Sequence, residues 1–244
     1  MFKENIEQNL GSENQEQPKS EKENLWEEKR KEIEQTGDRL GYRVDDGIKE
    51  SVITMNLLEL PTHESCEGHS DRGISAPWVG IEAHGRPEER FIGEKEMFQR
   101  IADKYKVSLE SVVNSDNFEA WSEAIIKVSD NGETEEYKKW RKENMPLVKR
   151  IKELLEEFYR DREVSDNIQL VVSMSAEGGF RIHNGGEDYR PAKNAWEKMN
   201  EEEKEALRER LNNYQEEMKA FTQFLKEKFF SEDFKIEKKD DITK

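Results

Sequence analysis

Residues 61–83 read PTHESCEGHSDRGISAPWVGIEA, and the fold expected of the chain is built outward from this stretch. Thr62–Cys66 reads as a short strand and Pro77–Ala83 as a second. The intervening EGHSDRGISA carries two glycines and two serines and reads as an exposed loop. Upstream, Asp45 and Asp46 supply a helix N-cap, Ile48, Val52, Met55 and Leu58 recur at helical spacing, and Pro61 stops the helix.

Downstream, Met97, Phe98, Ile101 and Tyr105 form one helical stripe, and Phe118, Trp121, Ile125 and Val128 another. Asp130-Asn131-Gly132 breaks the pattern. A helix is predicted from Thr134 to Asn144, with Pro146 opening a separate one that carries Leu147, Val148, Ile151, Leu154, Leu155 and Phe158. Ile168–Ser175 and Gly179–Asn184 flank a turn and read as a second hairpin. A long helix over 201–231 places Leu207, Leu211, Tyr214, Met218, Phe221 and Leu225 on one seam, suited to packing on the domain or pairing with a second copy. The expectation is an α+β fold: an antiparallel or mixed sheet of about four strands, made of two hairpins and covered by helices.

Charged residues make up 39% of the 244-residue chain and apolar ones 33%, so the core is modest. Residues 1–24 read as a polar, disordered arm, 25–234 as a single domain beginning with a helix anchored by Leu25, Trp26 and Ile33 and folded in earnest from Leu40, and 235–244 as a charged tail. Lys plus Arg number 40 against 56 acids, a formal charge of −16 that disfavours general nucleic-acid binding. The single cysteine, Cys66, excludes an intramolecular disulfide and fits a reducing cytoplasm. No signal sequence or membrane-spanning stretch is read.

Chemistry concentrates in 62–78, where Cys66, two of the four histidines, three acids and an arginine share one loop. Three uses fit these residues. A metal would use Cys66, His69 and His63, with oxygen donors from Glu64, Glu67 or Asp71 and with His84 or His183 completing the set. Strand alternation, however, places His63 and Cys66 on opposite faces. A Cys–His centre would use Cys66 as nucleophile and His69 as base, oriented by Asp71 or Glu67, although nearby acids raise a thiol pKa. A ligand pocket would use Ser65, Glu67, Gly68, Arg72 and Trp78. Its glycines admit close backbone approach, Arg72 grips a carboxylate or phosphate, and Trp78 stacks on a ring. Arg181 and His183 face the same cleft if the hairpins pair.

Thr62, Ser65, Cys66, Glu67, Gly68, His69, Asp71, Arg72, Gly73, Pro77 and Trp78 together resemble a group of uncharacterised bacterial proteins. In these, a helix leads into T-x-x-S-C-E-G-H, followed by D-R-G and a P-W-V/I strand. The resemblance covers residues 45–84 and implies no function. Ser65, Cys66 and Gly68 also resemble the S-S-C-x-G-R turn of the wybutosine-synthesising tRNA methyltransferase family, which implies a site for tRNA and S-adenosylmethionine. His69 and Glu64 depart from that pattern. The expectation is therefore a small-ligand pocket on the loop and the following strand. The alternatives are an interaction protein working through its amphipathic helices, with a homodimer through the last helix, and a metal-dependent or tRNA-modifying enzyme. The sequence assigns no cofactor.

Overall fold

The computed structural model describes residues 19–37, 41–175, 178–189 and 195–235. The arm before residue 19, the expected start at Leu40, the Ala176-Glu177 turn and the tail beyond 235 lie outside them. The fold is α+β, with eight helices and one four-stranded antiparallel sheet among the described residues.

Helix α1 (Glu21–Gln35) begins earlier than Leu25, inside the stretch read as arm, because Ser20 and Glu23 close a capping box. Its Trp26 and Ile33 are buried in the core beside α2 (Asp46–Leu57), and Trp26 meets Phe229 and Phe230 near the end of the last helix. The hairpin β1 (Thr62–Cys66) and β2 (Trp78–Ile81) follows. Helices α3 (Glu94–Tyr105), α4 (Leu109–Val113) and α5 (Phe118–Ser129) form a separate small cluster around Phe98, Ile101, Val112 and Ala124. Helix α6 (Glu135–Phe158) leads to the second hairpin, β3 (Leu170–Met174) and β4 (Phe180–Asn184). Short α7 (Ala195–Lys198) precedes α8 (Glu201–Phe230).

The expected break before Pro146 is absent: α6 is one 24-residue helix with Pro146 inside it. Tyr137, Trp140, Asn144, Val148, Ile151, Leu155 and Phe158 recur every three or four residues across the proline and are all buried. Burial of that unbroken stripe outweighs the roughly 3 kcal/mol that an interior proline costs. Asn144 secures the crossing. Its Oδ1 accepts the Ala83 N–H at 2.7 Å, while its Nδ2 donates to the Trp140 carbonyl at 3.1 Å.

The strands lie in the order β1-β2-β4-β3. Val79, Ile81 and Ile182 turn to one face, where Ile53 and Met55 of α2, Ile151 and Leu155 of α6, and Met218 and Phe221 of α8 cover them. All six residues of the α8 seam are buried within the chain itself. The opposite face presents Cys66, Trp78 and His183 on one rung and Gly80 and Arg181 on the next. Between Thr62 and Ser65 the β1–β2 register slips, because three steps along β1 match two along β2. This bulge sends both His63 and Glu64 to the outer face, so His63 shares a face with Cys66, contrary to simple alternation. The His63 ring lies over Gly80, where a β-carbon would stand 2.5 Å from its Cε1.

Candidate metal centre

The site grows from an exchange of partners at the start of α2. Asp45 occupies the N-cap position expected of it, yet its side chain makes no capping hydrogen bond. Glu67, from the loop after β1, takes over: its Oε2 accepts the Gly47 N–H at 2.8 Å. Gly47 leaves the room, since a β-carbon there would sit 2.6 Å from that oxygen. Asp45 is thereby released toward the loop. Its Oδ2 accepts the Glu67 N–H at 3.2 Å and stands 3.4 Å from His69 Nε2.

The loop is held tightly. Gly68 has φ +82°, and a β-carbon there would come within 2.9 Å of Ala76, Pro77 and Leu211 atoms. Only glycine fits both the left-handed backbone and that space. The His69 N–H donates to the Ile74 carbonyl at 3.1 Å, closing the loop on itself. Gln215 of α8 donates to the Glu67 carbonyl at 3.0 Å. The turn is thus anchored to both α2 and α8.

Asp45, Cys66 and His69 each bring a ligating atom within 4.8 Å of the others. The Gly68 N–H donates to Cys66 Sγ at 3.4 Å. Burial, with Asp45 and Glu67 adding to it, pushes the Cys66 thiol above its ordinary value. A free thiolate is disfavoured in that field, whereas a bound cation would generate one. Arg72 reaches in from outside: its Nη2 is 3.5 Å from His69 Nε2, and its side chain is 67% exposed.

The other expected residues divide. Glu67 flanks the cluster, with Oε1 4.0 Å from His69 Nδ1. Asp71 points outward and lies 3.8 Å from Arg72, so Asp45, not Asp71, is the acid beside His69 Nε2. His63 stands apart from the cluster, 3.7 Å from Glu82. Ser65 pairs with Val79 and so turns to the core face, away from Cys66. Trp78 is the rung partner of Cys66, and the Arg181 guanidinium covers its ring at 4.1 Å. Arg181 also donates to Glu64 at 2.9 Å. His183 is stacked on Tyr189 at 3.5 Å and bonded to Ser173 and the Asn184 carbonyl, which commits both ring nitrogens. His84 is exposed. Asp45 was the residue that spacing alone did not reveal as part of the site. An aspartate at a helix start reads as a cap, and the one signal against that is Gly47, a weak helix former two positions on.

No helix among the described residues is long and apolar enough to cross a membrane. Comparison of the chain with known protein families, with curated proteins and with solved structures finds no match.

Proposed function

We propose that this chain binds a divalent transition-metal ion, zinc fitting best, at Asp45, Cys66 and His69, and that the ion holds a compact anionic ligand. The observation that carries the reading is the convergence of a carboxylate, a thiol and an imidazole within 4.8 Å. A mixed sulfur, nitrogen and oxygen set suits zinc. With metal–nitrogen and metal–oxygen bonds of about 2.0–2.1 Å, tetrahedral ligands stand about 3.3–3.4 Å apart. The His69–Asp45 separation of 3.4 Å falls at that value.

Three protein donors leave a fourth position, the pattern of sites that bind substrate or water rather than purely structural ones. Arg72 lies beside the ligand set, its Nη2 3.5 Å from His69 Nε2, and a guanidinium suits a carboxylate or phosphate. The match of Ser65 and Gly68 to the tRNA methyltransferase turn lends little to a tRNA reading, since one faces the core and the other holds the bend.

Elemental analysis of protein loaded with zinc and freed of excess tests the proposal. About one zinc per chain is expected, falling to background in Cys66→Ala and His69→Ala. Wild-type protein that emerges metal-free overturns it.

A further inference from the structure

We propose that the groove between α6 and the edge strand β3 docks an extended, acidic peptide segment of a partner protein, which joins the sheet as a fifth strand. Among the described residues β3 ends the sheet, so one of its sides has no strand beside it. The Leu170 N–H donates away from β4, to the Tyr159 hydroxyl at 2.7 Å, while the Ser175 N–H donates inward to the Gly179 carbonyl at 2.8 Å. Alternate residues of an antiparallel strand point their backbone groups to the same side. Val172 and Met174 therefore turn theirs outward with Leu170, and no partner meets them among the described residues. This is a template for strand addition.

Along the edge run two cavities of about 460 and 400 Å³, which share Lys152 and Val172 and so form one trough. Val148, Val172 and Phe180 give it an apolar lining, and Met145 and Met174 stand at one end, 56% and 67% exposed. Its length matches a segment of about five residues, the span of β3 at about 3.3 Å per residue.

Charge selects the occupant. The chain carries −16 overall, yet the trough is rimmed by Arg141, Lys142 and Lys152 against a single acid, Glu156. Arg141 is engaged by Glu133 at 3.2 Å, whereas Lys142 and Lys152 have no ion-pair partner among the described residues. An added strand with apolar side chains at alternate positions and acids between or beside them satisfies the edge, the trough and the cations together. A second copy of this chain fits less well, because pairing β3 with β3 brings two sets of the same cations together.

The probe is a fluorescently labelled peptide of about seven residues alternating valine and glutamate, followed by anisotropy. Saturable binding that weakens with salt is expected. It should be lost in Val172→Pro, which removes one outward donor at a position where proline is tolerated. It should fall about tenfold in the Lys142→Glu, Lys152→Glu double variant. A valine–lysine peptide, or the original peptide N-methylated along one edge, should not bind. The proposal is overturned if the valine–glutamate peptide shows no saturable binding or if the N-methylated peptide binds equally well. Self-association of the chain that Val172→Pro abolishes would equally overturn it, by assigning the edge to a second copy.

Discussion

At the scale of single residues, the site rests on an acid that does not do what its position suggests. Asp45 sits where a helix cap belongs, but Glu67 from another segment performs the capping, and Asp45 joins Cys66 and His69. Asp45→Asn should therefore lower zinc affinity at least about tenfold while shifting the melting temperature little, since no Asp45 side-chain cap is lost. Calorimetry and a zinc titration on one sample separate the two effects. Gly68→Ala acts through the backbone instead: a left-handed φ and three contacts under 3 Å should destabilise the fold by about 1–3 kcal/mol or more, measured by denaturant unfolding. The crowding of Cys66, Glu67, Gly68, His69 and Arg72 on one short loop was legible in the sequence, because these reactive side chains and glycines are neighbours along the chain. Asp45 was not, because the partner that frees it lies 22 residues away and only tertiary structure joins them.

At the scale of elements, most of the pattern follows from periodicity. Both hairpins and the α8 seam stand where alternation and three–four spacing place them. Two departures have different causes, one local and one tertiary. The start of α1 rests on the Ser20–Glu23 capping box, a signal present in the sequence but outweighed there by the polar composition around it. The continuity of α6 through Pro146 depends on a buried stripe shared with the sheet and α8, which no local rule reports. Pro146 is exposed, so Pro146→Ala should remove the helix penalty without loss of packing and stabilise the protein by about 1–2 kcal/mol in thermal or denaturant unfolding. The link between the loop after β4 and α8 gives a pH signature. Asp188 accepts from Arg210 at 2.7 and 3.1 Å and from the Tyr214 hydroxyl at 2.9 Å. Burial works to raise its pKa, but these hydrogen bonds outweigh it and hold the carboxyl below its ordinary value. A lowered carboxyl pKa stabilises the fold above the ordinary carboxylate range and ceases to do so as pH falls through the lowered value. Asp188→Asn should thus cost about 1–3 kcal/mol near neutral pH, with the gap from wild type closing below about pH 4.

At the scale of the whole molecule, the division of labour is between the two faces of one sheet. Helices α2, α6 and α8 bury one face, with α1 packed on α2, and the outer face with its β1–β2 loop carries the polar side chains. The bulge in β1 brings His63 to that outer face beside Glu64, where alternation from Cys66 places Glu64 alone. Helix α8 serves both sides: Phe221 and Leu225 fill the core, while Leu211 and Gln215 brace the loop that holds Cys66 and His69. Truncation near Met199 should accordingly unfold the chain rather than release a folded monomer, as circular dichroism would record. Phe221→Ala, fully buried, should cost about 3–5 kcal/mol. The proposed metal site is probed most directly by the absorption spectrum of the chain titrated with cobalt(II). A thiolate-to-cobalt charge-transfer band that saturates at about one equivalent and vanishes in Cys66→Ser is the predicted result. A spectrum indistinguishable from aqueous cobalt, or a band unchanged in Cys66→Ser, would contradict a metal centre at Asp45, Cys66 and His69.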